Sequence, residues 1–140
     1  LIKIMFFNKK EENVSNDLTK IAALLIHAGR IDENLSKPEE KIIKQTLVKL
    51  NDNNQNIENI FNKGKLIEEN SNQILDFTKE VKNMDKKKKI KIVEALWKII
   101  YSNNEADIYE SNLMRRLAGL LYIDSKIIGD IKEKIKKENS

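Results

Sequence analysis

The chain has 140 residues, 40% hydrophobic and 34% charged, which suits one compact domain with one core. It contains no cysteine and a single histidine, His27, so disulfides, thiolate metal sites, a cysteine nucleophile and a histidine metal cage are excluded. With 4 glycines, 1 proline, 6% aromatics and a net charge of only +4, an all-α domain is expected rather than a β-sandwich, and the charge alone names no partner. Much of the basic balance follows codon composition: 23 lysines, 21 isoleucines and 17 asparagines all use AT-rich codons. Arginine, the better bidentate phosphate ligand, occurs only at Arg30, Arg115 and Arg116.

Residues 1–14 form an N-terminal segment and 15–140 the domain. Residues 1–7 read LIKIMFF, too short for a signal-peptide core; they predict a docked terminal turn, or alternatively a peripheral membrane contact. No apolar run approaches the roughly 18 to 20 residues that span a bilayer, so a cytoplasmic protein is expected. From an N-cap at Ser15 or Asn16, Leu18, Ile21, Ala22, Leu25 and Ala28 recur at helical spacing until Gly29 closes the element. Ser36 and Glu39 then stand three apart as a capping box, with Pro38 in the first turn. The helix that follows, to about Leu50, buries Ile42, Ile43, Leu47 and Leu50.

The asparagine-rich stretch 51–56 predicts a linker and residues 57–62 a short helix. A longer helix with Leu66, Ile67, Ile74, Phe77 and Val81 comes next, with a break near Ser71 and Asn72. Asp85 caps a helix that begins with Lys86 to Lys89, four cations at the positive end of the helix dipole. Its apolar face is Ile90, Val93, Leu96, Trp97 and Ile100. A loop over 102–107 leads to a helix with Tyr109, Leu113, Leu117 and Leu120. Asp124 caps the last helix, whose stripe is Ile127, Ile128, Ile131 and Ile135.

The chain aligns with itself at an offset of 75: LLIHAGRID at 24–32 against IIYSNNEAD at 99–107. After a four-residue insertion in the first copy, Glu39 aligns with Glu110 and Ile42 with Leu113. Each copy reads helix, acidic loop, helix, and an approximate twofold relation between the copies is expected. Facing copies would bring carboxylates from two loops together, as hard cations require.

The phrase VEALWKIIYSNNEADIYESNLMRRLAGLL, residues 93–121, resembles the TerB-like family associated with tellurite resistance, in particular its small proteobacterial members. The family pattern is a hydrophobic helix ending in Ala-Asp-Gly, then acidic, hydrophobic and Asp positions, and a Glu opening a helix with Arg-Arg and Leu. The second copy matches at Glu105, Asp107, Glu110, Arg115 and Arg116, and the first, less closely, at Gly29, Ile31, Asp32 and Glu39. The resemblance runs from about Ser15 to Ile131. It implies an all-α bundle of about seven helices with an acidic, divalent-cation-binding surface formed by Asp32, Glu39, Glu105, Asp107 and Glu110. Ala28 and Asn103 stand where the family has aspartates, and Asn104 where it has glycine. Weak calcium or magnesium binding, or none, is the consequence.

Asp107, Glu110, Asp32, Ser36 and Glu39 also admit a simpler reading as helix caps and first-turn acids. His27 at a helix end is expected to pack or cap carbonyls, and Trp97, Tyr101 and Phe77 to belong to the core. Glu58, Glu68, Glu69, Asp76 and Glu80 have no partner nucleophile in the sequence pattern, and no phosphate loop, HExxH or serine triad is present. A non-catalytic, stress-associated interaction adaptor with a protein partner is therefore expected. The alternative is a nucleic-acid-binding module using the lysines and the Arg115–Arg116 pair, against which the acidic residues Glu105, Asp107 and Glu110 would repel phosphate.

Overall fold

A computed structural model describes residues 18–29, 35–51, 56–70, 75–102 and 108–138, with the backbone alone at 75–76, 80 and 108–111. The described residues form seven helical segments and no strand: α1 (18–29), α2 (Lys37–Leu50), α3 (Ile57–Glu69), α4 (Leu75–Lys82), α5 (Lys86–Tyr101), α6 (Ile108–Leu120) and α7 (Ser125–Glu138). None of them is long and apolar enough to cross a membrane. The expected cap at Ser15 or Asn16 and the docked turn of 1–7 lie outside the described residues.

The start signals read from the sequence hold where they can be seen. Ser36 Oγ accepts from the Glu39 N–H at 3.2 Å while Glu39 Oε1 accepts from the Ser36 N–H at 3.3 Å, and Pro38 sits in the first turn. Each closes a backbone donor that the helix itself cannot satisfy. Asp85 accepts from the Lys88 N–H at 2.9 Å, and Asp124 from the Lys126 N–H at 3.0 Å. Asn56, placed in the linker by composition, instead caps α3 by accepting from the Asn59 N–H at 3.3 Å.

α1 departs from its amphipathic reading. The face at Leu18, Ile21, Ala22, Leu25 and Ala28 is buried as expected, but Ala23, Leu24 and Ile26 are buried as well. The neighbours explain this: α1 meets Glu39 of α2, Gly64 and Glu68 of α3, Phe77 of α4 and Ile99 of α5. A helix surrounded on several sides needs apolar residues around most of its girth.

α3 is one helix of 13 residues, not a short helix ending near Asn62. It continues through Gly64, which reads as a helix breaker but serves close packing: a Cβ there would stand 2.7 Å from Ala22 Cβ and 3.2 Å from the Thr19 carbonyl oxygen. The continuous helix turns Leu66 outward, where it is 59% exposed, because it lies roughly 200° around the axis from Gly64. α3 ends at Glu69 and α4 begins at Leu75; the break expected at Ser71 and Asn72 lies outside the described residues.

α5 is the second central helix. Ile92, Val93, Ala95, Leu96, Trp97, Ile99 and Ile100 are buried against α2 on one side and α7 on the other. Trp97 donates its indole N–H to the Ile128 carbonyl at 3.1 Å, stacks on the half-buried Tyr101 with centroids 5.9 Å apart, and carries the Lys132 ammonium over its ring. Trp97 and Phe77 are core residues, as the spacing predicts. On α7 Ile128, Ile131 and Ile135 are buried and Ile127 half-buried.

α6 ends in a Schellman motif: the Ile123 N–H reaches the Ala118 carbonyl at 3.1 Å and the Tyr122 N–H points to the Gly119 carbonyl at 3.4 Å. The residue in the left-handed position is Tyr122, with φ 55°, where glycine would be usual.

Candidate functional site

Of the five carboxylates named from the sequence, Asp32, Glu105 and Asp107 lie outside the described residues, and Glu110 lies in α6 with its side chain undescribed. Glu39 is described in full. It is 3% exposed, a rare degree of burial for a carboxylate. One oxygen, Oε1, belongs to the capping box; the other, Oε2, has no hydrogen-bond donor among the described residues and faces the end of α1. A Cβ on Gly29 would meet Glu39 Oε2 at 2.7 Å, Leu35 Cδ1 at 2.6 Å and Ile99 Cγ2 at 3.4 Å.

Gly29 is the last described residue of α1, and what it does there is a matter of packing. No described glycine has positive φ, so Gly29 is not a left-handed cap. Its missing side chain lets the ends of α1 and α5 and the start of α2 converge on the Glu39 carboxylate. These two helix ends lead into 30–34 and 103–107, the segments that carry Asp32, Glu105 and Asp107. Among the described residues no group of three potential metal ligands comes together.

His27 packs rather than caps. Its Nδ1 is 3.4 Å from Glu68 Oε1, and its ring is tilted against Phe77 with centroids 6.2 Å apart. Glu68, a carboxylate without an assigned partner in the sequence, thus fastens α3 to the end of α1. Glu58 and Glu40 both reach the Lys44 ammonium at 2.8 Å, a three-charge bridge between α2 and α3. Bonding and attraction from Lys44 hold the Glu40 carboxyl below its ordinary pKa, and the two carboxylates raise Lys44 above its own. The Glu40–Lys44 pair has the i,i+4 spacing of one helix, but periodicity gave no signal for Glu58–Lys44 or Glu68–His27, which join residues from different helices.

Along α5 the surface is cationic. Lys49, Lys87, Lys91 and Lys98 border a hollow of about 350 Å³ between α2 and α5. Lys86 and Lys89 border a second, of about 380 Å³, against Tyr122, Ile123 and Ile127. Tyr122 is 69% exposed, and the Lys82 ammonium stands 4.5 Å from its ring centroid. Hydrogen bonding with Lys82, reinforced by its charge, lowers the phenol pKa. The lysine run was visible in the sequence, but the hollows and Tyr122 were not, because they require α2, α5 and the α6–α7 turn to meet.

The fold and surface define an all-α bundle with a buried capping carboxylate and lysine-lined hollows beside α5. The family model described as Tellurite resistance protein TerB matches residues 18–133, so the chain belongs to the TerB family. No curated protein and no solved structure matches.

Proposed function

We propose that this TerB-family chain is a non-catalytic interaction adaptor in tellurite and related stress resistance, with a weak divalent-cation site at its acidic end. The observation carrying the cation reading is Glu39: a buried carboxylate with one oxygen engaged in a helix cap and the other left without a described donor. It lies where the two helices leading to Asp32, Glu105 and Asp107 end side by side. Calcium and magnesium favour such hard oxygen donors, and the alanine and asparagine at positions 28 and 103 reduce the charge they would meet. A dissociation constant on the order of 10⁻⁴ to 10⁻³ M is expected.

Isothermal titration of the full chain with calcium and magnesium tests this, with Glu39→Gln as the informative variant. Glutamine preserves the acceptor for the Ser36 N–H, so folding is retained while the charge is removed. Loss of the weak binding in Glu39→Gln supports the reading; unchanged binding, or none in the parent at millimolar cation, rejects it. For the adaptor role, deletion of the gene should sensitise cells to tellurite, and in-cell crosslinking should trap a defined protein partner. Normal tellurite resistance after deletion removes that assignment.

Arg115 and Arg116 are both exposed on α6, the observation that keeps a nucleic-acid reading in view. Duplex binding at moderate salt, lost on Arg115→Ala with Arg116→Ala, would replace the adaptor reading with that one.

A further inference from the structure

We infer that the two hollows flanking α5 form one docking surface for an acidic peptide segment that carries aliphatic side chains, which deepens and rests on the adaptor reading above. α5 opens on a local electrostatic conflict. Lys86 to Lys89 place four like charges where the α5 dipole is already positive, with the Asp85 carboxylate capping the helix start. Among the described residues Lys49, Lys86, Lys87, Lys89, Lys91 and Lys98 take part in no ion pair. Unfavourable local placement that packing does not compensate is expected at functional surfaces.

The shape of the surface selects among anions. Ile90 is half-buried and lines both hollows, so it forms an apolar ridge between two cationic rims. Ala95 adds apolar floor on the α2 side, and Ile123 and Ile127 on the α7 side. Tyr122, in its left-handed position, extends the second hollow's wall with an exposed ring. Pockets of this size accept an aliphatic side chain, and a phosphodiester backbone has none to offer. The cations on the rims are all lysine, whereas the exposed Arg115 and Arg116, better suited to phosphate, line neither hollow. Glu94 is the one acid bordering the first hollow and already faces Lys134 at 3.8 Å; Asp124, bordering the second, is engaged by the Lys126 N–H. Carboxylates alternating with leucine or isoleucine match both features, charge on the rims and an apolar floor. This surface shares no lining residue with the surroundings of the Glu39 carboxylate, which are Ser36, Gly29, Leu35 and Ile99.

The test is fluorescence anisotropy of the full chain at about 0.1 M salt with a labelled peptide of Glu-Glu-Leu repeats. Oligoglutamate, a short DNA duplex and vesicles of anionic lipid are the competing probes. The Glu-Glu-Leu peptide should bind several-fold more tightly than each of them. Lys87→Glu with Lys91→Glu should weaken it by about tenfold, the effect of roughly 1.4 kcal/mol. Ile90→Ser should weaken the leucine-containing peptide and leave oligoglutamate unchanged. Lys63→Glu with Lys79→Glu, on exposed positions of α3 and α4, controls for net charge and should change binding less than about twofold. Circular dichroism of each variant confirms folding. Equal loss in the control pair, indifference to Ile90→Ser, or tighter lysine-dependent binding of DNA or vesicles overturns the inference. Failure of the adaptor reading is separately visible: the peptide then binds as described while gene deletion leaves tellurite resistance intact.

Discussion

Gly64 of α3 lies directly against Ala22 of α1, so close that a methyl group at Gly64 would be 2.7 Å from the Ala22 side chain. Backbone atoms of Thr19 and Ala23 bound the same space at 3.2 Å, leaving no flexible group to move aside. Gly64→Ala should therefore destabilise the domain by about 1 to 3 kcal/mol, overriding its gain in helix propensity. Gly129 in α7 has open space at the same position, and Gly129→Ala should stabilise by about 0.5 to 1 kcal/mol. Denaturant midpoints of the two variants should move in opposite directions; a shared direction would mean that propensity, not the α1–α3 approach, governs Gly64.

Tyr122 occupies the left-handed position of the α6 Schellman motif at φ 55°. A side chain there is strained by about 1 kcal/mol, and the exposed contact with Lys82 returns only part of that. Tyr122→Gly should raise stability by about 0.5 to 1 kcal/mol in thermal unfolding. The same change should weaken binding of the acidic peptide, separating the residue's surface role from its conformational strain.

Trp97 joins α5 to α7 through its indole N–H and the Ile128 carbonyl, a buried bond of 3.1 Å. Trp97→Phe leaves that carbonyl without its donor and opens space in the core, so a loss of about 2 to 4 kcal/mol is expected in urea titration. A loss below about 1 kcal/mol would indicate that the carbonyl finds another partner.

The Glu40–Lys44–Glu58 bridge gives a defined pH dependence. Glu40 has a depressed folded pKa, so its contribution is present above its ordinary value of 4.5 and fades as pH falls through the lower folded value. Lys44 has a raised pKa, so its contribution is present below its ordinary 10.5 and fades as pH rises through the higher folded value. Both side chains are partly solvated, which limits the bridge to a few tenths of a kcal/mol up to about 1 kcal/mol. Lys44→Met should lower stability by that amount at neutral pH, with the difference narrowing in acid well below 4.5 and at high salt. A pH-independent difference would assign the effect to lost packing of the Lys44 stem on Phe61, whose ring centroid is 4.9 Å from the ammonium.

What the sequence by itself determined is what depends on neighbours along the chain. The Ser36–Glu39 capping box, the Asp85 and Asp124 caps and the isoleucine stripe of α7 all follow from spacings of two to seven residues, and each was found where its spacing placed it. Family membership was legible for the same reason, in the continuous phrase at 93–121. Tertiary structure alone decided why Gly29 and Gly64 are glycines, why α1 is apolar around most of its circumference, and that Glu58 reaches Lys44 and Glu68 reaches His27. It also decided that Glu39 lies beneath the joined ends of α1 and α5, and that one lysine run borders two separate hollows. A periodic pattern states which face of a helix is apolar, but not how many helices surround it or how closely their backbones approach. Those quantities are set by packing between segments distant in the chain, where no local spacing records them.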